Sequence, residues 1–478
     1  MSKSIKHKAT KGILWSMMER FSIQGVQFFI MIILTRLLTP DDYGLIGMLS
    51  VFLAISQSLI DCGFSQALIR KNDRSEIDKS TVFYFNIVTS AILYLTLYIS
   101  APYIAKFYNA PALCLITRIA CLTIVINSLT IVQRALLTIK IDFKSQTKIS
   151  FISTSISGIL SIIMAFCDFG VWALVLQSLV YSILSTILFW IISKWKPIKA
   201  FSWTSFHELF SFSSKLVLSG LIDTVYRNIN TIAIGKIFSP SDLGQYTRAI
   251  HFSEFPSSNI AIIIQRVVFP ILCEMQNDDF KLRQVYRKFI RLTAYIIFPL
   301  MIGLSAISEP LLTTLIGSQW LYCAALLQII CFDMVLMPIH GINLSLLQVK
   351  GRSDLYLRLE LIKKFIGVLI IIIAIPLGIK AMCYGGIIIS ILCLIVNTYY
   401  TGKLIKVGFI TQIKDMLPTI ILTMSMFFII TVIINFIDNV LLKLTLGIII
   451  GCMVYIGGSI LFRFGELKEI ISIIKNKK

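Results

Sequence analysis

Fourteen apolar runs, each long enough to cross a bilayer as a helix, fill almost the whole chain. They lie near 11–38, 43–69, 80–105, 112–138, 149–167, 169–193, 210–236, 243–272, 289–308, 321–348, 355–376, 380–402, 415–435 and 440–462. A helical span needs about 20 apolar residues. Inside a bilayer every backbone N–H and C=O must be satisfied by the chain itself, which leaves only helices and closed barrels. Runs of this length read as helical spans, so the chain reads as an all-α integral membrane protein. Hydrophobic residues make up 57% of the 478 positions and charged residues 14%, far from a soluble globular composition.

The charge pattern tests the span count. A net charge of +20 would suggest nucleic acid in a soluble protein. Here 32 of the 44 lysines and arginines fall in the termini and in or beside the loops that follow even-numbered runs, and the seven other loops have in or beside them only Arg36, Lys106, Lys236, Lys380 and Lys443. That alternation predicts about 14 transmembrane helices with both termini cytoplasmic, and it removes the reason to expect a nucleic-acid partner. The basic N-terminus leads into a run too long for the core of a cleaved signal peptide. The loops are short, and the ten cysteines show no C-x-x-C spacing, which reads as packing in helices. The tail from Arg463 places Leu467, Ile470, Ile471 and Ile474 on one helical face, the pattern of a short interfacial helix.

The chain also repeats itself. Residues 34–44, LTRLLTPDDYG, return at 234–244 as IGKIFSPSDLG, with Arg36, Thr39, Pro40, Asp42 and Gly44 matched by Lys236, Ser239, Pro240, Asp242 and Gly244. Each copy sits between two apolar runs. The offset divides the chain into a six-helix lobe at 1–205, a second at 206–405, and two further helices with a basic tail at 406–478. Internal repeats in a membrane protein point to a transporter. The motif itself reads as a structural clamp in which Asp42 and Asp242 cap the helices that follow.

Polar groups inside the runs are the functional candidates, because an ionisable residue in a span faces a cavity or a partner. Arg20, Gln24 and Gln27 share one face of the first run, and Asp223, Arg227 and Asn230 form a similar stripe on the seventh. Adding 200 to Gln27 gives Arg227. Arg248, Asn259 and Arg266 align on the eighth run, which Pro256 is expected to interrupt. Glu19, Asp61, Asp223 and Glu254 are the gating or ion-coupling candidates. Arg118, Arg134, Asp333, His251 and His340 read as packing or snorkelling residues, and Asp223–Arg227 is spaced for a neutralising pair. The sequence holds no nucleotide-binding, hydrolase or zinc motif and no cluster with metal-ligand spacing, so neither cofactor, metal nor catalytic residue is expected.

KGILWSMMERF…ILTRLLTPDDYGLIG, GFSQALIRK (63–71), GVWALVLQ (170–177), VVFPIL (267–272) and LLQVKGRSD (346–354) together resemble the Wzx-type polysaccharide flippases, in particular the colanic-acid and teichuronic-acid exporter branch. The resemblance covers about residues 8–460. It implies the fold shared by multidrug (MATE) exporters and the lipid II flippase: two six-helix lobes forming a V around a central cavity, plus two C-terminal helices. It also implies a bacterial cytoplasmic membrane location and an oligosaccharide repeat on an undecaprenyl pyrophosphate carrier. Beyond that lipid-linked oligosaccharide and the lipid bilayer, the polymerase and chain-length proteins of the same pathway are the partners it suggests. Arg20 and Arg227 match the placement of cationic cavity residues in the first helix of each lobe.

These readings converge on an alternating-access flippase and not an enzyme. Arg20, Arg227 and Arg248 are expected at the pyrophosphate, through the bidentate bonding that suits arginine to phosphate. Gln24, Gln27 and Asn259 are expected at sugar hydroxyls. Two rivals are an exporter of small cations or drugs, whose cavity should be acidic, and a membrane-embedded polymerase, which needs a larger outer loop. A passive scaffold in an assembly complex is a third.

Overall fold

The computed structural model describes residues 23–61, 63–71 and 73–475, and every regular element among them is helical. Glu19 and Arg20 lie outside the described residues, as does the side chain of Asp61. The chain divides into two compact units, 1–244 and 245–478. The first contains α1 (Ile23–Leu37), α2 (Pro40–Asp61), α3 (Phe64–Arg70), α4 (Glu76–Phe107), α5 (Leu113–Ala120), α6 (Leu122–Ser128), α7 (Ile131–Ile139), α8 (Phe143–Phe166), α9 (Val171–Ser193), α10 (Trp203–Arg227) and α11 (Ile229–Ile237). The helix α12 (Pro240–Glu274) leads into the second unit. There it is followed by α13 (Asp279–Ala306), α14 (Ser308–Ile316), α15 (Leu321–Met334), α16 (Met337–Val349), α17 (Ser353–Ala374), α18 (Ile379–Ile405), α19 (Phe409–Asn435), α20 (Val440–Leu461) and α21 (Gly465–Lys475).

Among the described residues ten helical stretches are long and apolar enough to cross a membrane. An eleventh is the pair Leu113–Ser128 and Ile131–Ile139, bent by 40° at its break. Three of the fourteen sequence runs fall outside that set for local reasons. The first run is described only from Ile23; α10–α11 is broken at Asn228 and carries Glu208, Asp223, Arg227 and Lys236; α17 carries Arg358, Glu360, Lys363 and Lys364. The predicted break at Cys167–Gly170 is present, with Asp168 and Gly170 turning at φ 59° and 53° between α8 and α9.

Both copies of the repeated motif build the same turn. Thr39 and Ser239 are the capping residues: the Asp42 and Asp242 backbone N–H groups donate to their hydroxyls at 3.3 and 3.1 Å. The carboxylates reach back to accept from the backbone N–H and hydroxyl of Thr39 and of Ser239. The expected roles are therefore exchanged within a capping box: the hydroxyl caps, and the aspartate three residues on secures it. The two turns also meet. A Cβ added to Gly44 would lie 1.8 Å from the Pro240 carbonyl oxygen, and one added to Gly244 would lie 1.8 Å from that of Pro40. Only glycine admits so close a backbone crossing. Lys236 completes the junction, donating to the Phe107 carbonyl at 2.6 Å at the C-terminus of α4, where a cation is favoured.

Pro256 does not interrupt its helix; α12 runs unbroken through Pro256 and Pro270. A proline inside a membrane helix removes one hydrogen bond, which neighbouring groups absorb. The breaks inside the runs fall at Cys121, Leu129–Thr130 and Asn228, where no proline marks them, and at Val335–Leu336, where Pro338 stands in the first turn of the next helix.

Polar networks bind the second unit. Tyr286, Asn343 and Gln412 are buried and hydrogen-bond one another, and Gln412 also donates to Thr401. Arg287 grips Asp415 with two hydrogen bonds of 2.6 and 2.7 Å, joining α13 to α19. The tail helix α21 docks on α13 through Lys288–Glu469 and Arg291–Glu466 pairs, while Leu467 and Ile470 pack on its core.

Candidate substrate site

The first unit encloses a cavity of about 460 Å³ bordered by α1, α2, α6, α8 and α9. That lies within the roughly 300–1,000 Å³ of small-molecule sites. Its wall carries Gln27, Gln57, Thr123, Asn127, Thr154, Ser157, Gln177, Ser178, Tyr181 and Ser182, against only Leu53, Ala54, Ile124 and Leu174 that are apolar. Among the described residues no lining residue is charged. Thr123, Ser157 and Ser178 donate their hydroxyl protons to carbonyls of their own helices, which leaves the oxygen lone pairs as acceptors. The Thr154 hydroxyl is buried and has no partner among the described residues. A concave wall of amides and hydroxyls both donates and accepts, which is the requirement for binding sugar hydroxyls without selecting a charge.

Of these residues only Gln27 stands among the sequence candidates, because it shares a helical face with Arg20 and Gln24. The others are neutral. Their signal is the i,i+4 recurrence of polar residues in apolar runs: Thr123 and Asn127, Gln177 and Tyr181, Ser178 and Ser182. Gln24, one turn from Gln27, holds a buried side-chain oxygen with no partner among the described residues.

The cationic candidates are placed separately. Arg227 ends α10 and donates to Asp223 at 2.7 Å, the neutralising pair expected from the spacing. Its side chain is still 74% exposed, so the pair leaves most of the guanidinium open. Arg248 is half-buried and Glu254 exposed. Asn259 is buried, with its amide nitrogen donating to the Phe255 carbonyl at 2.7 Å. Arg266 borders a cavity of about 420 Å³ in the second unit together with Gln265, Ser345, Gln348 and Tyr356, one cation among hydrogen-bonding groups. Arg118 stacks over the Tyr98 ring at 4.5 Å and Arg134 over Phe189 at 5.3 Å, so aromatic faces hold both.

The second unit also carries an apolar groove of about 590 Å³ along α13, α19 and α20. Gly303, Gly447 and Gly451 keep its floor low, and Tyr295 and Tyr455 are its polar-tipped residues. The Tyr455 hydroxyl is already spent on the Tyr295 carbonyl at 2.6 Å.

The long apolar helices define a multi-pass helical membrane protein. The structure superposes on the lipid II flippase MurJ in an inward closed conformation with a TM-score of 0.75, covering 94% of this chain and 99% of that one at 18% identity, and so shares its fold. The chain belongs to the polysaccharide biosynthesis protein family, whose model matches residues 33–325, a family of Wzx-like flippases. It is 28% identical over 355 residues to the teichuronic acid biosynthesis protein TuaB of Bacillus subtilis (strain 168), covering 74% of this chain and 73% of that protein. It is 25% identical over 401 residues to the lipopolysaccharide biosynthesis protein WzxC of Escherichia coli (strain K12), covering 83% and 80%.

Proposed function

We propose that this protein flips an oligosaccharide repeat unit, linked to undecaprenyl pyrophosphate, across the bacterial cytoplasmic membrane by alternating access. The observation that carries the reading is the wall of amides and hydroxyls that the described residues build inside a membrane protein of this family. Such a wall suits a glycan, because amides and hydroxyls both donate to and accept from sugar hydroxyls. The apolar groove suits the polyprenyl chain, which gains nothing from leaving hydrocarbon. Arg227, Arg248 and Arg20 remain the proposed partners of the pyrophosphate, and Arg266, in its hydrogen-bonding cavity, joins them. Gln24, Gln27 and Asn259 are proposed at sugar hydroxyls, and Glu19, Asp61, Asp223 and Glu254 in gating. In the same reading the chain has fourteen spans, cytoplasmic termini, and repeat-related lobes at 1–205 and 206–405 with an appendix at 406–478.

The test is reconstitution of the full chain with lipid-linked repeat units from polysaccharide-producing bacteria, read by enzymatic access to the glycan from one side. Protein-dependent exposure of the glycan supports the reading. Failure of every native repeat unit to move, in vesicles where the protein is folded, overturns it.

A further inference from the structure

Where the tail helix α21 docks, it closes a charged pocket that the substrate reading leaves without a role. The pocket holds about 300 Å³ between α13, α19 and the turn from α20 into α21. Its charged residues are Arg291, Lys414, Asp415 and Glu466, and Phe462 and Phe464 supply its rings. The charges do not cancel. Asp415 is 6% exposed and is already held by Arg287 through two hydrogen bonds. Arg291 stands 3.9 Å from Asp415 and 3.5 Å from Glu466, wider than the about 2.7–2.9 Å of a charge-assisted hydrogen bond, and is 42% exposed. Lys414 is exposed and has no ion pair among the described residues. Arg287, Arg291 and Lys414 thus face two carboxylates, which leaves a positive charge and two open cationic groups.

The pocket adjoins the apolar groove of the same unit. The Phe464 ring lies 5.9 Å from that of Tyr295, and Tyr295 lies 5.1 Å from Tyr455, so the last ring of the pocket meets the first rings of the groove. From there the groove follows α13 as far as Ile307, where Gly447 of α20 brings its backbone close: a Cβ on Gly447 would lie 2.8 Å from Ile307 Cγ2. Tyr295 to Ile307 is about 18 Å at 1.5 Å per residue. One leaflet supplies half of the roughly 30 Å hydrocarbon core, about 15 Å. Leu300, Ile448 and Ile456 line the groove and are exposed.

A cationic pocket at one end of an apolar groove one leaflet long has the two halves of a lipid site. An anionic headgroup satisfies the open cations, and an acyl chain covers the groove. Neither half alone selects a lipid: the groove accepts any hydrocarbon, and the pocket any small anion. Their junction at Phe464 and Tyr295 requires both on one molecule.

We propose that an anionic phospholipid of the surrounding bilayer binds here, with its phosphate at Lys414 and Arg291 and one acyl chain along α13 and α20. Glu466 of the tail helix is the opposing charge, competing with the phosphate for Arg291. The bound phospholipid occupies the groove between transport cycles and gives way to the polyprenyl chain of the substrate. That competition rests on the flippase reading; the phospholipid site does not.

The probes are phosphatidylglycerol, phosphatidylethanolamine and inorganic phosphate, each added to the full chain in detergent and read by native mass spectrometry. Phosphatidylglycerol should bind in preference to the other two. Lys414→Gln and Arg291→Gln should each weaken it about 5-fold, the weight of one basic residue beside anionic lipid. Lys443→Gln, at the other end of α20, should leave it unchanged. Cys452→Trp fills the groove from an exposed position and should weaken binding without touching a charge. Glu466→Gln decides the headgroup: it should tighten phosphatidylglycerol, whereas a site built for an ammonium headgroup would lose affinity. Lys414 is exposed, so K414Q should melt with the wild type in lipid-free detergent, which separates lost binding from lost fold. Wild-type affinity in K414Q, R291Q and C452W, weaker binding in E466Q, or equal binding of inorganic phosphate overturns the site. In proteoliposomes, replacing part of the phosphatidylethanolamine by phosphatidylglycerol should slow exposure of the lipid-linked repeat, and K414Q should lose most of that slowing. Rates indifferent to phosphatidylglycerol remove the competition. If no repeat unit moves in either membrane, the flippase reading and the competition fall together, while the mass spectra still decide the phospholipid site.

Discussion

Replacing Gly44 or Gly244 by alanine tests whether the two copies of the repeated motif are locked by direct backbone contact. Each new Cβ would lie 1.8 Å from a proline carbonyl oxygen, whereas ordinary contact begins at 3.4 Å. The two helix starts must therefore part by the difference, about 1.6 Å, to admit one methyl group. No rotamer relieves the clash, because the obstacle is backbone. Overpacking of this kind costs about 1–3 kcal/mol. In a body the size of the first unit, each kcal/mol lowers the melting temperature by about 2–4 °C. G44A and G244A should thus each melt about 2–12 °C below the wild-type chain, read by tryptophan fluorescence in detergent. The double variant should cost clearly less than the two singles together, because one separation of the helices makes room for both methyls. Gly457→Ala, with nothing within 4 Å of the new atom, is the control and should not lower the melting point. Single variants that melt with the wild type, or a strictly additive double variant, would refute the contact.

Three further outcomes follow from the same structure. Gln57→Leu, Asn127→Leu and Gln177→Leu each remove hydrogen-bonding groups from the polar cavity and should slow glycan exposure about 2- to 10-fold per bond lost, with an unchanged melting point; equal rates would mean that the cavity does not meet the glycan. Asp415→Asn strips the anion, 6% exposed, from Arg287 and Arg291. It should cost about 1–3 kcal/mol in thermal stability, less than the roughly 3–5 of a fully buried pair because Arg287 reaches solvent, and D415N/R287Q should recover part of the loss. Asp278 caps α13, and the Lys281 backbone N–H and ammonium hold its carboxyl below the usual range. A depressed value stabilises the folded state above the unfolded pKa. The melting difference between wild type and D278N should therefore be full above about pH 4 and disappear as the pH falls through the lower folded value; a difference that grows with acid would contradict this.

The class of the fold was legible along the chain because the bilayer imposes a local rule. Each span must be apolar over its own length and must satisfy its own backbone, so 43–69 and 380–402 announce themselves without knowledge of any neighbour. The repeat at 34–44 and 234–244 was equally plain, and so was the break at Cys167–Gly170. Residues whose role depends on a partner elsewhere were not. Pro256 reads as a break and is not one, whereas Asn228 is a break that no proline marks. His340 reads as a packing residue in the sequence, and only the structure shows that Asn397 and Ser390, 57 and 50 residues away, hold its two ring nitrogens.

The sequence by itself therefore determined an all-α, multi-pass membrane protein with duplicated helix pairs, alternating loop charge and a resemblance to polysaccharide flippases. Tertiary structure alone decided what the neutral polar residues do. A glutamine or serine is tolerated on any face of a membrane helix, so the i,i+4 recurrence of such residues marks a face without saying what it meets until five helices turn Gln57, Asn127, Gln177 and Ser182 toward one cavity. The same holds for Gly44 and Gly244: each is an ordinary helix-start glycine in the sequence, and only the crossing of two chain segments 200 residues apart makes the missing side chain a necessity.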